Sequence, residues 1–500
     1  MRTAVIIGGG LGGLFTGAIL SKEGFKVTVL EKNTTVGGGL QNFKRFGLKF
    51  DTGMHVIGGM RPGGNIYRIC QYLGIVDKVS LMNVDDECTD SLYFAEDKHT
   101  YHIQKGREGL VNSLAEHFPN EKENLKAYVD AVFGLVDEIS LFHLRPSSDM
   151  LTTHSDNFMI AADAFISKYI KDPKLRSVVA YMNPLYGGRG DESPAFVHAI
   201  ISSLYMQDAS RFVGGSDKFA DLLVSVIESA GGTIHKNEGV EWVEVNNRHI
   251  DFVKTNKNNQ YQADYYISAI HPCALLKLLP ERAFPKAYRT RLNSIPNSYS
   301  AFSVYIKLKP DTFPYINHSE YYMTRYDEIW NFGKPDKQWP LGFLFMTPPE
   351  EHQGPYSTKA LITAPMLYED VAQWEDTKVG RRGADYETWK EEKSQLLLNK
   401  VEELHPGFKA CIDEINTATP LTIRDFYGAK EGTMCGFSKD YKNMVASQLP
   451  VVTKVDNLLL TGQNNNLPGF CGVPLTAINT VEAILGRNYI VNKINAIVNE

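Results

Sequence analysis

Val5-Ile6-Ile7-Gly8-Gly9-Gly10-Leu11-Gly12-Gly13 decides how this chain is read. The apolar run from Ala4 to Ile7 reads as a buried parallel strand. It breaks into a glycine turn and resumes as a helix through Leu14, Phe15, Ala18, Ile19 and Leu20. Gly8, Gly10 and Gly13 keep the G-x-G-x-x-G spacing: a tight turn, a close approach for a pyrophosphate, and close packing of helix on strand. The helix N-terminus offers free N–H groups and the positive end of a dipole to the phosphates. A second strand, Lys26 to Leu30, ends at Glu31, about 20 positions past the glycines, where a carboxylate accepts ribose hydroxyl hydrogen bonds. A βαβ unit that binds nothing is the weaker reading, because strand, turn, helix, strand and acid all fall in order.

Outward from this unit, 500 residues are too many for one core, and two or three domains are expected. A net charge of −6 excludes a nucleic-acid partner. The six cysteines (Cys70, Cys88, Cys273, Cys411, Cys435 and Cys471) show no C-x-x-C pair, and no histidine cluster has metal spacing. This pattern fits reduced thiols in a cytoplasmic protein without a metal site. Arg2 and the apolar run after it belong to the glycine unit rather than to a signal peptide. No window reaches the roughly 18 apolar residues of a membrane span, so a soluble protein, at most docked on a membrane surface, is expected.

Along the chain, residues 1–75 read as the first part of a nucleotide-binding domain, with a helix from Asn65 to Leu73. Residues 76–205 lose the βαβ rhythm and contain helical stretches, Glu108 to His117 and Glu121 to Phe142, and a more apolar helix, Asn157 to Ile170. In the last of these, Phe158, Ala162, Phe165 and Tyr169 share one face, which packs on a neighbour or, as the lesser reading, lines a lipophilic channel. Residues 206–297 return to the first domain, with a helix from Leu222 to Ala230, strands at Thr233 to Lys236 and Val240 to Val245, and a buried strand ending at Ala269. Residues 298–418 read as a second sheet. There Ser298 to Leu308 alternates as a half-buried antiparallel strand, joined by Leu341 to Met346 and Lys359 to Ala364. Residues 419–500 go back to the nucleotide.

The stretches Glu31 to Met60, Thr419 to Thr422 with Phe426 to Gly436, and Leu458 to Gly486 resemble the phytoene desaturase, carotenoid isomerase and retinol saturase group of flavoproteins, the last most closely. The resemblance implies an α/β two-domain fold of the glutathione-reductase/amine-oxidase-like type. This is a Rossmann FAD-binding domain plus an α+β substrate domain with an antiparallel sheet. It also implies FAD held by Gly8, Gly10, Leu11, Gly12 and Gly13, by Glu31 and Lys32, and by Gly38, Gly39 and Leu40. Met54 and His55 fall near the flavin ring, Val240 pairs with adenine through its backbone, and Ala269, Gly462, Gln463, Gly472, Val473 and Pro474 complete the site. Gly39 stands where many members carry an arginine for the FAD phosphates, and the saturase-like branch also tends to lack that arginine.

The last motif supplies a physical reason for the chain to return. Pro474 suits the first turn of a helix running through Ala477 to Leu485, which frees the N–H groups around Gly472 and Val473 to face a ligand. A reduced flavin carries negative charge near N1 and O2, where such a terminus stabilises it. The implied reaction delivers hydride from flavin N5 to one end of a C=C bond of a lipophilic isoprenoid or polyene, with a proton at the other end; reversed, it is a desaturation. His55 is the candidate proton donor, balanced by a purely structural hydrogen-bonding role. Asp51 reads as structural, and Tyr186 and Tyr427 as pocket wall. The single dinucleotide fingerprint is used by FAD, so NAD(P)H enters only as a transient electron donor. A redox-neutral cis–trans isomerase, an FAD amine oxidase and a flavin-fold lipid-binding protein remain as alternatives, and the oligomeric state is open.

Overall fold

The computed structural model describes residues 1–147, 154–335 and 338–498. Five parallel strands form one sheet in the order Leu458–Leu460, Tyr265–Ser268, Thr3–Ile7, Lys26–Leu30, Thr233–His235. A parallel sheet is covered on both faces, which explains the unbroken apolar run of its central strand. Ala4 and Ile6 enter one core and Val5 and Ile7 the opposite one. The helix Leu11–Lys22 follows the glycine turn. A Cβ on Gly13 would stand 2.1 Å from the Gly8 carbonyl oxygen, so only glycine lets this helix close on its own strand. An antiparallel three-stranded sheet, Val240–Asn246, His249–Thr255 and Gln260–Tyr261, is added to this half of the molecule.

Seven strands form the second large sheet, in the order Ile412–Ala418, Ser300–Leu308, Lys359–Met366, Gly342–Met346, Ser319–Met323, Asp90–Phe94, His99–Ile103. The sheet is antiparallel as expected except at one pairing, where Ser319–Met323 runs parallel to Asp90–Phe94. The hairpin Asp90–Phe94/His99–Ile103 comes from the stretch between residues 76 and 205, where the expected elements are helices. Ser300–Leu308 is buried along nearly its whole length rather than half-buried. Phe302, Val304 and Ile306 enter the core beneath the helix Ala384–Leu404, and the opposite face, Ser303 and Tyr305, is covered by the nucleotide-binding half.

Several helix boundaries differ from expectation, among them that of Asp217–Ser229, which starts well before Leu222. Lys122–Asp137 stops short of Phe142. Ala162–Tyr169 starts late, because Ile160 and Ala161 are extended against Pro194: Ala195 N–H donates to the Ile160 carbonyl and Ala162 N–H to that of Ser193, both at 2.8 Å. The aromatic side chains still pack: Phe165 of this helix tilts against Tyr128, and Phe158, in the turn before it, stacks on Phe196 at 4.5 Å. The helix Gly469–Leu485 starts five residues before Pro474, which is therefore interior and not in the first turn. Among the described residues no single helix is long and apolar enough to cross a membrane.

Candidate functional site

A cavity of about 590 Å³ begins at the glycine turn and ends against the seven-stranded sheet. Gly8, Gly10, Leu11, Gly12, Glu31, Lys32, Gly38, Gly39 and Leu40 line its first part. Met54, His55, Val240, Ala269, Gly462, Gln463, Gly472 and Val473 line it further on. Two expected residues do not. Gly13 lies beneath the turn, and Pro474 is buried inside its helix, where a missing N–H frees nothing toward a ligand. With Pro468 as N-cap, the N–H groups left unbonded by the helix fall on Gly469, Phe470 and Cys471, one turn earlier than expected.

The two ends of the chain meet here. A Cβ on Gly12 would lie 3.0 Å from the Gly462 Cα, and Thr16 and Thr461 share a hydroxyl hydrogen bond of 3.0 Å. Each Glu31 carboxylate oxygen accepts one backbone N–H at 2.8 Å, from Gly9 and from Asn33. Burial raises the Glu31 pKa above the usual carboxylate range, and those two N–H donors act against the shift. Lys32 donates to the Asp425 carbonyl at 2.9 Å, which pins the helix Pro420–Tyr427 over this end. Asp51 accepts from both the N–H and the hydroxyl of Ser216 at 2.8 Å, a joint between distant stretches.

These residues fit FAD. The Glu31 oxygens keep free lone pairs for ribose hydroxyls, and the space in front of Gly10 is open to a built Cβ, with nothing nearer than Gly38 Cα at 3.9 Å. Lys32 is the one Lys or Arg on the cavity wall and Glu31 the one carboxylate, among the described residues. The middle of the cavity therefore relies on backbone N–H groups to meet the pyrophosphate.

Beyond Met54 the wall becomes apolar: Phe142, Ile200, Leu204, Phe343 and Leu344 stand there with Tyr186, Tyr205 and Tyr321. Burial lowers the His55 pKa to about 4, with Asp51 working against the shift and Arg211 with it, so the imidazole is neutral at pH 7. Tyr427 donates to the Thr52 hydroxyl at 2.8 Å, and burial pushes its pKa up to about 12. Tyr205 donates to the Val56 carbonyl at 3.0 Å. Sequence reasoning missed Tyr205, Tyr305 and His271 as wall residues. His271 caps the helix Pro272–Leu278 by accepting from Cys273 N–H, and burial holds it at about 4 as well.

The family model described as flavin containing amine oxidoreductase matches residues 11–316. All-trans-retinol 13,14-reductase of Rattus norvegicus is 27% identical over 97% of this chain and 86% of its own length. A chloroplastic prolycopene isomerase of Arabidopsis thaliana is 23% identical, covering 86% of this chain and 73% of that protein. Among solved structures, an oxidoreductase from Methanosarcina mazei superposes with a TM-score of 0.65 at 18% identity, over 96% of this chain and 100% of that one.

Proposed function

We propose that this chain, which belongs to the flavin containing amine oxidoreductase family and is an FAD-dependent oxidoreductase, acts on a carbon–carbon double bond of a lipophilic polyene. The observation that carries this reading is the apolar end of the cavity. It continues from the glycine cradle without a fixed charge and is walled by aromatic and branched side chains. A conjugated hydrocarbon loses no hydration there that it needs to keep, whereas a charged amine would meet no counter-charge. The similarity to a retinol reductase over nearly the whole chain supports the same substrate class.

In this reading residues 1–75, 206–297 and 419–500 hold FAD, while 76–205 and 298–418 hold the substrate. Bound FAD supplies hydride chemistry at its N5. The chain orients the polyene between the helix Ala195–Gln207 and the seven-stranded sheet, and the dry wall excludes water. His55 beside the ring is neutral, so an imidazolium is not the resident acid. Among the cavity groups that hold a proton at neutral pH are the phenol oxygens of Tyr427, Tyr305 and Tyr205, whose pKa burial raises further. NAD(P)H is assigned the role of transient reductant, because the one dinucleotide cradle is taken by FAD.

A second reading, a redox-neutral cis–trans isomerase, is favoured by the similarity to prolycopene isomerase. The test is an anaerobic titration of the dithionite-reduced protein with a polyene alcohol, a carotenoid and an amine. Re-oxidation of the flavin by a polyene supports the proposal. Altered polyene geometry with the flavin still reduced supports the isomerase. In a parallel arm with the oxidised protein, anaerobic bleaching of the flavin by an amine, with hydrogen peroxide released once air is admitted, overturns both.

A further inference from the structure

A second pocket of about 210 Å³ adjoins the main cavity, and Phe142 and Leu204 are walls of both. Its character is different. Arg61, Arg68 and Arg107 surround it, with Asn65 at the head of the helix Asn65–Leu73. Two carboxylates are present, and both are committed. Asp208 accepts from the Arg61 backbone N–H at 2.6 Å and from the Ser210 hydroxyl, while Asp137 meets Arg145 and His143. The guanidinium of Arg61 is exposed and has no ion-pair or hydrogen-bond partner among the described residues. Arg107 lies 3.5 Å over the Phe133 ring without a carboxylate. Arg68 donates to the His143 carbonyl at 3.0 Å and to Asn495, but its Nε is buried with no acceptor. A buried N–H donor without a partner is rare, and it marks a place where an acceptor belongs.

We propose that this pocket takes the anionic head group, carboxylate or phosphate, of an amphiphile whose apolar chain passes Phe142 and Leu204 into the main cavity. The inference rests on the polyene reading and narrows it to substrates with an acidic terminus. Guanidinium groups match both anions with paired N–H donors. Asn65, which donates to the Phe142 carbonyl at 3.1 Å and faces Cys471 Sγ at 3.2 Å, ties the partition to the first turn of Gly469–Leu485. Phe142 and Leu204, shared by the two linings, mark the point where the head pocket adjoins the apolar cavity.

The test measures binding to the FAD-loaded protein of three fluorescent probes: a conjugated polyene carboxylic acid, the matching phosphate ester and the matching alcohol. At least one anion is expected to bind about tenfold or more tightly than the alcohol, with added salt narrowing the gap. In the double variant Arg61→Gln/Arg107→Gln, both sites being exposed, the anion-to-alcohol ratio falls toward one. A preference for the acid alone identifies a carboxylate, and for the ester alone a phosphate. Equal affinities in the unaltered protein, a ratio unmoved by the double variant, or no binding of any probe overturns the proposal. Flavin re-oxidation by the alcohol, followed on the same preparation, keeps the two readings apart. Turnover without anion preference removes only the head pocket; anion preference without turnover removes only the polyene chemistry.

Discussion

Glu31 shows how a single side chain can be read from spacing alone. Its distance from the glycines led to the expectation of a carboxylate for the ribose, and Glu31 stands on the cavity wall with lone pairs left beside its two N–H donors. Glu31→Gln removes the charge and one acceptor, and FAD affinity is expected to fall about 10- to 100-fold, the worth of a charge-assisted hydrogen bond. Flavin fluorescence titration of the apoprotein checks it. His55 was legible as a cavity residue from its position after Asp51-Thr52-Gly53, but its protonation state was not, because it is set by burial within the fold and by charges as remote in sequence as Arg211. The rate of flavin re-oxidation should show no break near pH 6.5; a break there that vanishes in His55→Asn would restore an imidazolium acid.

At the scale of the element, the first helix was read to its start and the helix Gly469–Leu485 was not. Both have glycine-rich beginnings. In the first, the glycines fall at a spacing with a known geometric use. In the other, Gly469-Phe470-Cys471-Gly472 looks like loop, and Pro474 looks like a start. Tertiary contact decides otherwise: Gly472 lies so close to the Leu467 carbonyl that a Cβ would be 2.4 Å from its oxygen, and the turn is helical because it is packed. The strands Asp90–Phe94 and His99–Ile103 were missed for a related reason. Charged residues surround them, and only Asp90–Phe94 pairs with Ser319–Met323, more than 200 positions away, while His99–Ile103 joins the sheet through Asp90–Phe94. The tightest element contact carries its own expectation. Gly13→Ala must push the helix Leu11–Lys22 off the Gly8 carbonyl, at a cost of about 1–3 kcal/mol. A lower Tm together with flavin-free protein is the expected result; a normal Tm with full flavin content contradicts it.

For the whole molecule, the cavity is a property of two sheets brought face to face, and no local pattern in the chain announces it. Leu204→Trp fills its apolar end from the helix Ala195–Gln207 and should lower polyene kcat/KM about tenfold or more while leaving the flavin spectrum unchanged. Stability should also depend on pH. Burial holds His55, His198 and His271 at about 4 against an ordinary value near 6.5. Each is neutral in the fold, so the unfolded chain gains protons first, and stability is lost as pH falls from about 6.5 toward 4, by up to about 1.4 kcal/mol per pH unit for each histidine. Asp90 acts in the opposite sense. Burial raises it to about 6, and its stabilising protonation offsets one of the three below that pH. The Tm of the FAD-loaded protein should therefore drop between pH 6.5 and pH 5; a constant Tm would place those imidazoles in contact with water.

The claim that all of this serves is that both ends of the chain hold one flavin against a dry cavity shaped for a conjugated chain. Product analysis after anaerobic incubation of the reduced protein with a polyene tests it most directly. A product with one double bond fewer, formed in step with flavin re-oxidation, is the predicted result. Polyene recovered with all its double bonds and its original geometry, beside a flavin that remains reduced, would contradict it.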